Sequence, residues 1–482
     1  MASVKKIFFL YFISVLLYNQ AYATGLKITN CVYQDKNIGK ENPIVTAIFT
    51  VTWENAWRNA KNHDAAWIFF KLNHANEKRS QRHGILKPGS ASFIMSYEQQ
   101  QVTPSFWIPE DGTGLMIAPS STYRGNISWR ISVDIDLTKA RNLNLSETIF
   151  ASCFGVEMVH IPESEFYVGT SDTTAQKNTA ALFTAGTRDV YKISSENEIQ
   201  IGDNQGLLAY NNANEVIYKG DIRGPVPKAF PKGYQAFYCM KYELKEGQYV
   251  NFLNSVSEYF SSNRAHIGGR NYALERGGIY LENEKYKTNT PDRPASFLTF
   301  DDGCAFADWA CLRPMSELEF EKASRGPVKP KYNEYPWGND SRHKVSRYFD
   351  EKGMLVMASP LSEKDINDSN LEIFGASYYW VMDMNKSLWE RCVSIGNPKG
   401  RQFAGTHGDG SLSGYYGNAD NADWPNSYDG KGGISYRGGG TYEAGMVGSP
   451  EGKVSDRSFG AWGDGPATIA YGFRAVRTGA GK

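Results

Sequence analysis

The chain has 482 residues, 52 basic and 52 acidic side chains, 47 glycines and 13% aromatic residues. A net charge near zero offers no electrostatic footprint for nucleic acid or for an anionic membrane surface. The length exceeds one ordinary core and predicts two or three domains, and the glycine and aromatic content favours a β- and loop-rich fold over a helical one.

The N-terminus reads as an export signal. Lys5 and Lys6 form a basic start, 7–18 is apolar, and Ala21-Tyr22-Ala23 is a small-x-small cleavage site. The expected cut after Ala23 removes a 1–23 signal peptide and two of the 52 basic residues, leaving 50 against 52 acidic ones. The apolar run, about a dozen residues, is shorter than the roughly 20 needed to cross a bilayer. The expectation is a secreted or periplasmic protein with no membrane span. Cys31, the first cysteine, stands several residues past the cut, which argues against a lipid anchor.

Residues 24–155 read as an all-β domain. In 127–137, Ile127, Trp129, Ile131, Val133 and Ile135 alternate with polar residues, a period of two with one buried face. Val45, Ala47, Phe49, Val51 and Trp53 make a similar stripe, and 65–72 reads as a third strand. Short strands separated by turn residues predict an immunoglobulin-like β-sandwich, with Trp53, Trp57 and Trp67 in its core. Six cysteines, Cys31, Cys153, Cys239, Cys304, Cys311 and Cys392, permit disulfides in an exported chain. Cys31 and Cys153 lie at the two ends of this domain, where a bridge clasps first and last strands; two small buried hydrophobes is the other reading.

Beyond residue 156 the texture changes to short strands, two helices and long Gly/Asn/Asp-rich loops. One helix is predicted over 245–260, with Tyr249, Phe252, Leu253, Val256 and Phe260 on one face. A second follows Ser316, where Glu319 completes a capping box and Phe320 and Ala323 turn inward. The stretch 395–440 shows no sustained periodicity, which in a compact domain marks a functional or disordered segment.

Several motifs in this region follow one family in order. They begin at Met158-Val159-His160-Ile161-Pro162 and run through Glu165 to Gly169, Tyr242-Glu243 to Leu253, and Arg293-Pro294 with Asp301-Asp302. Trp309, Arg313, Glu317, Glu319 and Arg325-Gly326 come next, then Tyr335-Pro336-Trp337-Gly338-Asn339, Asp383-Met384 with Trp389-Glu390, Arg437-Gly438-Gly439, and Gly472-Phe473-Arg474. This set resembles the formylglycine-generating-enzyme, or sulfatase-modifying-factor, family. The resemblance implies an α+β, C-type-lectin-like domain over 156–480, with Glu390 and Arg474 as buried structural charges.

The family enzyme oxidises a substrate cysteine to formylglycine with copper held by two cysteines just after the Arg437-Gly438-Gly439 strand, soft thiolates being the ligands that hold Cu(I). Here that segment contains Met446 but no cysteine, and the last cysteine of the chain is Cys392. Copper is therefore not expected. The family's calcium turn has Ser387 in place of its asparagine, leaving Glu390 as a weak calcium ligand. Asp409, Asp420, Asp423 and Asp429 offer hard oxygen ligands elsewhere, or a solvated loop. His160, His266 and His407 lack metal-ligand spacing, and no hydrolase elbow, phosphate loop or zinc-protease helix is present.

The expectation is an exported, non-catalytic member of this family, acting in recognition or envelope assembly through a protein or glycan partner. Tyr415, Tyr416, Trp424, Tyr428 and Tyr442 are the candidate contact surface, large rigid rings with polar tips; loop residues folded onto the core is the other reading. The alternative function is the family's oxidoreductase chemistry, cysteine to formylglycine.

Overall fold

A computed structural model describes residues 25–480 except 36–41, 76, 78, 80–81, 98–101, 212–219, 222, 266–277, 350–354, 386, 427–432, 441–451 and 463–466. The predicted signal peptide lies outside the described residues. Among those described, no helix is long and apolar enough to cross a membrane.

Nine strands occupy the N-terminal third: β1 (Leu26–Asp35), β2 (Ile44–Arg58), β3 (Asp64–His74), β4 (Arg82–Leu86), β5 (Ser92–Ser96), β6 (Pro104–Trp107), β7 (Leu115–Pro119), β8 (Tyr123–Asp136) and β9 (Ile149–Ile161). The alternating stripes of β2 and β8 turn one face inward. Phe49, Val51, Trp53, Trp129, Ile131 and Val133 share one core with Ala66, Ile68, Phe70 and Leu72 of β3. Two antiparallel layers therefore face each other, as the alternation predicts. They are not separate sheets, because β4 pairs with both β3 and β8.

Further along the chain come β10 (Phe237–Met240), α1 (Glu246–Ser255), α2 (Glu258–Arg264), α3 (Phe300–Trp309), β11 (Arg313–Pro314) and α4 (Glu317–Arg325), then β12 (Trp389–Val393), β13 (Ile434–Arg437), β14 (Phe459–Trp462), β15 (Tyr471–Gly472) and β16 (Ala475–Thr478). The molecule is mixed α+β, with strands predominating. β9 crosses the expected 155/156 boundary and pairs with β10, so the main sheet continues in the order β1-β2-β8-β4-β3-β9-β10-β16-β11. Instead of an isolated immunoglobulin-like sandwich, the N-terminal layers form the near half of one sheet.

This continuity explains β3. Its second face, Ala65, Trp67 and Phe69, packs under the helices with Phe252, Phe306 and Trp309. Buried on both faces, β3 reads as an unbroken apolar run, the signature of a fully covered strand. Trp309 packs across the junction, its ring 5.0 Å from Phe69, 4.9 Å from Phe154 and 5.6 Å from Phe252.

The helix predicted over 245–260 is two helices. Val256 leaves the helix with ψ of 167°, and the Ser257 hydroxyl accepts from Phe260 N at 3.2 Å, capping the second one. The capping box at Ser316 is formed, Glu319 N donating to the Ser316 hydroxyl at 3.1 Å and Ser316 N to the Glu319 carboxylate at 3.0 Å. α3 was not expected as a helix, although Thr299 and Asp302 close the same kind of box at its start.

Candidate functional site

Two regions carry concentrated chemistry: the strands around Arg437 and a cleft lined in part by Trp309 of α3. On α4, Glu317, Glu321 and Arg325 stand four residues apart on one helical face. Arg437 on β13 is fully buried and donates to Glu321 at 2.7 Å and to Glu317 at 3.4 Å. Arg457 adds two bonds to Glu317, at 2.5 and 3.0 Å, and Arg325 joins Glu321 at 2.9 Å and also Glu334. Arginine forks are thus matched to carboxylates at both sides of 438–456, the interval in which the resemblance places the family's copper site.

Copper chemistry there requires two thiolates, and the chain does not supply them. Residues 441–451, Tyr442 and Met446 among them, lie outside the described residues, and their sequence has no cysteine. Cys392 sits beside Ser435 in the β12–β13 ladder, fully buried, with burial holding its thiol well above the usual range. Burial likewise pushes Cys239 up to about 12 and raises Cys304 and Cys311. Protonated core thiols of this kind do not fit a Cu(I) site.

Glu390, the calcium candidate, is fully buried on β12. Both of its oxygens are taken by Arg474, at 2.7 and 2.8 Å, and Arg474 also donates to Met240 O and Met382 O. Expected as a weak calcium ligand, Glu390 is paired with Arg474 through both carboxylate oxygens.

The second region is a cleft of about 620 Å³ between the N-terminal layers and the helices. Arg82, His83 and Arg141 line it from one side, Ser257, Phe260 and Trp309 from the other. Trp309 is 3% exposed, yet its indole Nε1 has no hydrogen-bond partner among the described residues. Lys71, also buried, lies 5.4 Å over the Trp309 ring and donates to Gly410 O at 2.9 Å; burial lowers its ammonium to about 8. Arg141 pairs with Asp409 and Arg82 with Glu77, both at 2.6 Å, so much of the charge around the cleft is already neutralised.

Asp308, on the last turn of α3, organises the loop that forms the cleft wall. Its carboxylate accepts from the backbone N–H groups of Asp409, Gly410 and Asp420, at 3.0, 3.3 and 3.2 Å. Burial, with Asp409 and Asp420 close by, pushes its carboxyl up to about 7. The ligand oxygens of Asp308, Asp409 and Asp420 lie within 4.8 Å of one another. In this arrangement the Asp308 oxygens are occupied by backbone donors, so the cluster's visible work is ordering the loop. Asp423 is likewise a loop staple, accepting from Ala404 N and Thr406 N at 2.9 and 3.3 Å. Asp429 lies outside the described residues.

The expected contact residues separate. Tyr415 and Tyr416 are 71% and 42% exposed, with rings 5.0 Å apart, at the tip of a hairpin formed by Leu412–Ser413 and Asn418–Ala419. Tyr259 of α2, which sequence reasoning did not single out, stands 5.0 Å from Tyr415 and completes an exposed aromatic trio. The hairpin is seated by Arg264, which donates to Gly417 O at 3.0 Å while pairing with Asp302 at 2.9 Å. Its neighbours Phe260 and Leu412 line the cleft, placing the trio at the cleft rim. Trp424 departs from the expectation: it is 6% exposed and its Nε1 donates to Thr406 O at 2.9 Å, pinning the loop from inside. Tyr428 lies outside the described residues.

His160 and His407 are packing groups. His160 stacks on His63 at 4.6 Å, and burial lowers its imidazole to about 4. His407 accepts from Thr478 N at 3.0 Å. His266 lies outside the described residues.

Comparison with known proteins places these features. A family described as "Sulfatase-modifying factor enzyme 1-like domain" matches residues 201–479. The formylglycine-generating enzyme of Thermomonospora curvata is 26% identical over 110 residues, 22% of this chain and 35% of that protein. The chain thus aligns with about a third of that relative's length.

Proposed function

Because this chain belongs to the sulfatase-modifying factor enzyme 1-like family, we propose that it uses the family scaffold for recognition and not for oxidation, as an exported module that binds a protein or glycan chain in the cell envelope or outside the cell. One observation carries the reading: an exposed trio, Tyr259, Tyr415 and Tyr416, stands at the rim of a cleft lined by Trp309 and Phe260, while the segment where the resemblance places the copper site has no cysteine. Aromatic rings present large rigid area at low entropy cost, and a few placed polar groups in a cleft fix orientation. Arg82 and Arg141 at the cleft are already paired with carboxylates, which favours a hydroxyl-rich polymer over an acidic or basic peptide.

The test is binding by variants on an array of neutral polysaccharides, with unmodified polypeptides as the second arm. Tyr415→Ala and Tyr416→Ala should weaken binding about tenfold, one ring contact each at the scale of exposed aromatic anchors, and leave the melting temperature unchanged. A large loss of stability with unaltered binding would place the rings in the core and remove the reading. Binding confined to the polypeptide arm keeps the recognition role and replaces the glycan by a protein.

A further inference from the structure

At the open edge of the N-terminal layers, β1 carries a bulge. Asn30 has φ of 50°, and the register with β2 slips between Thr29 and Val32, so Cys31 stands outside the regular ladder. On β9, Cys153 lies opposite Phe70 of β3, on the face turned toward the shared core. β1 crosses close over this strand, because Gly155 presents no side chain: a Cβ there would meet Ile28 Cδ1 at 2.7 Å and Leu26 Cδ2 at 3.4 Å. That approach sets the thiols of Cys31 and Cys153 close enough to shift one another's protonation. Cys31 is exposed and Cys153 half-buried, whereas Cys239, Cys304, Cys311 and Cys392 are buried.

We propose that Cys31 and Cys153 are a dithiol oxidation site, closed by exchange with a small-molecule or protein disulfide into a covalent clasp that ties β1 to β9. The two thiols differ in the way exchange requires. Cys153, with Arg130 nearby, lowers the Cys31 thiol, and burial raises that of Cys153. Cys31, as thiolate, attacks the incoming disulfide and forms a mixed disulfide while one thiolate leaves. Cys153 then attacks the Cys31 sulfur and expels the second. The two protons of the cysteines end on the two departing thiols, and the two electrons reduce the incoming disulfide. The clasp encloses a loop on the order of 100 residues, the range in which a cross-link most restricts the unfolded chain.

The experiment incubates the full folded chain with oxidised glutathione, then alkylates it and reads intact mass and peptide maps. The expected result is loss of two hydrogens, loss of alkylation at Cys31 and Cys153 together, and a linked peptide pair carrying these two residues. The melting temperature should rise by several degrees on oxidation and return with a reducing agent. Cys31→Ser, at an exposed position, should abolish the link and the rise, whereas Cys311→Ser should leave the link in place. Continued alkylation of both thiols after oxidation, a glutathione adduct that persists on Cys31, or a link to another cysteine would each overturn the proposal.

Discussion

Asp308 shows how much one side chain carries here. It gathers three backbone N–H groups from the cleft loop, and its carboxyl is pushed up to about 7 by burial beside Asp409 and Asp420. A carboxyl raised in the folded state contributes stability that is present below its unfolded value near 4 and lost as pH rises through about 7. Between pH 5 and 8 stability by urea unfolding should therefore fall by up to about 3 kcal/mol, about two pKa units at 1.4 kcal/mol each. Asp308→Asn keeps one acceptor and should flatten that profile; an unchanged slope would assign the dependence to other groups. Asp308 was illegible in the sequence because its partners arrive from residues about a hundred positions away. Tyr415, Tyr416 and Trp424 look alike in sequence, aromatics in a glycine-rich loop. What separates them is the Thr406 carbonyl, which captures the Trp424 indole and leaves the tyrosines in solvent.

Elements whose signals are local were readable. Ser316 and Glu319 define the start of α4 within four residues, and the alternation of β8 survives because only one of its faces is covered. β3 hides its layer assignment, since both faces are buried and the period of two disappears. The division between α1 and α2 turns on the Ser257 hydroxyl, a competition between local hydrogen bonds that the apolar period does not report. Ser257→Ala should cost about 1 kcal/mol in denaturant unfolding, the value of a lost N-cap. α3 offers a sharper case. A mid-helix glycine is ordinarily worse than alanine by about 1 kcal/mol, which makes Gly303→Ala look stabilising. A Cβ at this position would meet the Phe473 ring at 2.2 Å, so the substitution should destabilise by about 1 to 3 kcal/mol through overpacking. A gain in stability would mean that Phe473 can move aside.

At the scale of the molecule, the continuous sheet binds the two regions into one folding problem. Lys241, just past β10, lies 3.3 Å from Glu157 on β9 and 3.7 Å from Asp64 on β3, all three buried, while Trp53 of β2 donates to Glu157 at 2.8 Å. Removing one member of such a cluster strands the others, so Lys241→Met should cost about 3 to 5 kcal/mol. Unfolding should stay a single transition followed equally by probes in either half; two separated transitions would show independent domains. Motif order made the family legible, and motif residues far apart in the chain meet as buried ion pairs, Arg474 with Glu390 and Arg437 with Glu317. The cleft was not legible, because its walls come from both regions, which contacts such as Arg141–Asp409 and Lys71–Gly410 bring together across hundreds of positions. The central claim is that the scaffold persists without its oxidase chemistry. The most direct test supplies the chain with Cu(I), oxygen and a cysteine peptide of the sulfatase type and follows the peptide mass. The account predicts recovery of the unmodified cysteine peptide; conversion to formylglycine above a protein-free control would contradict it.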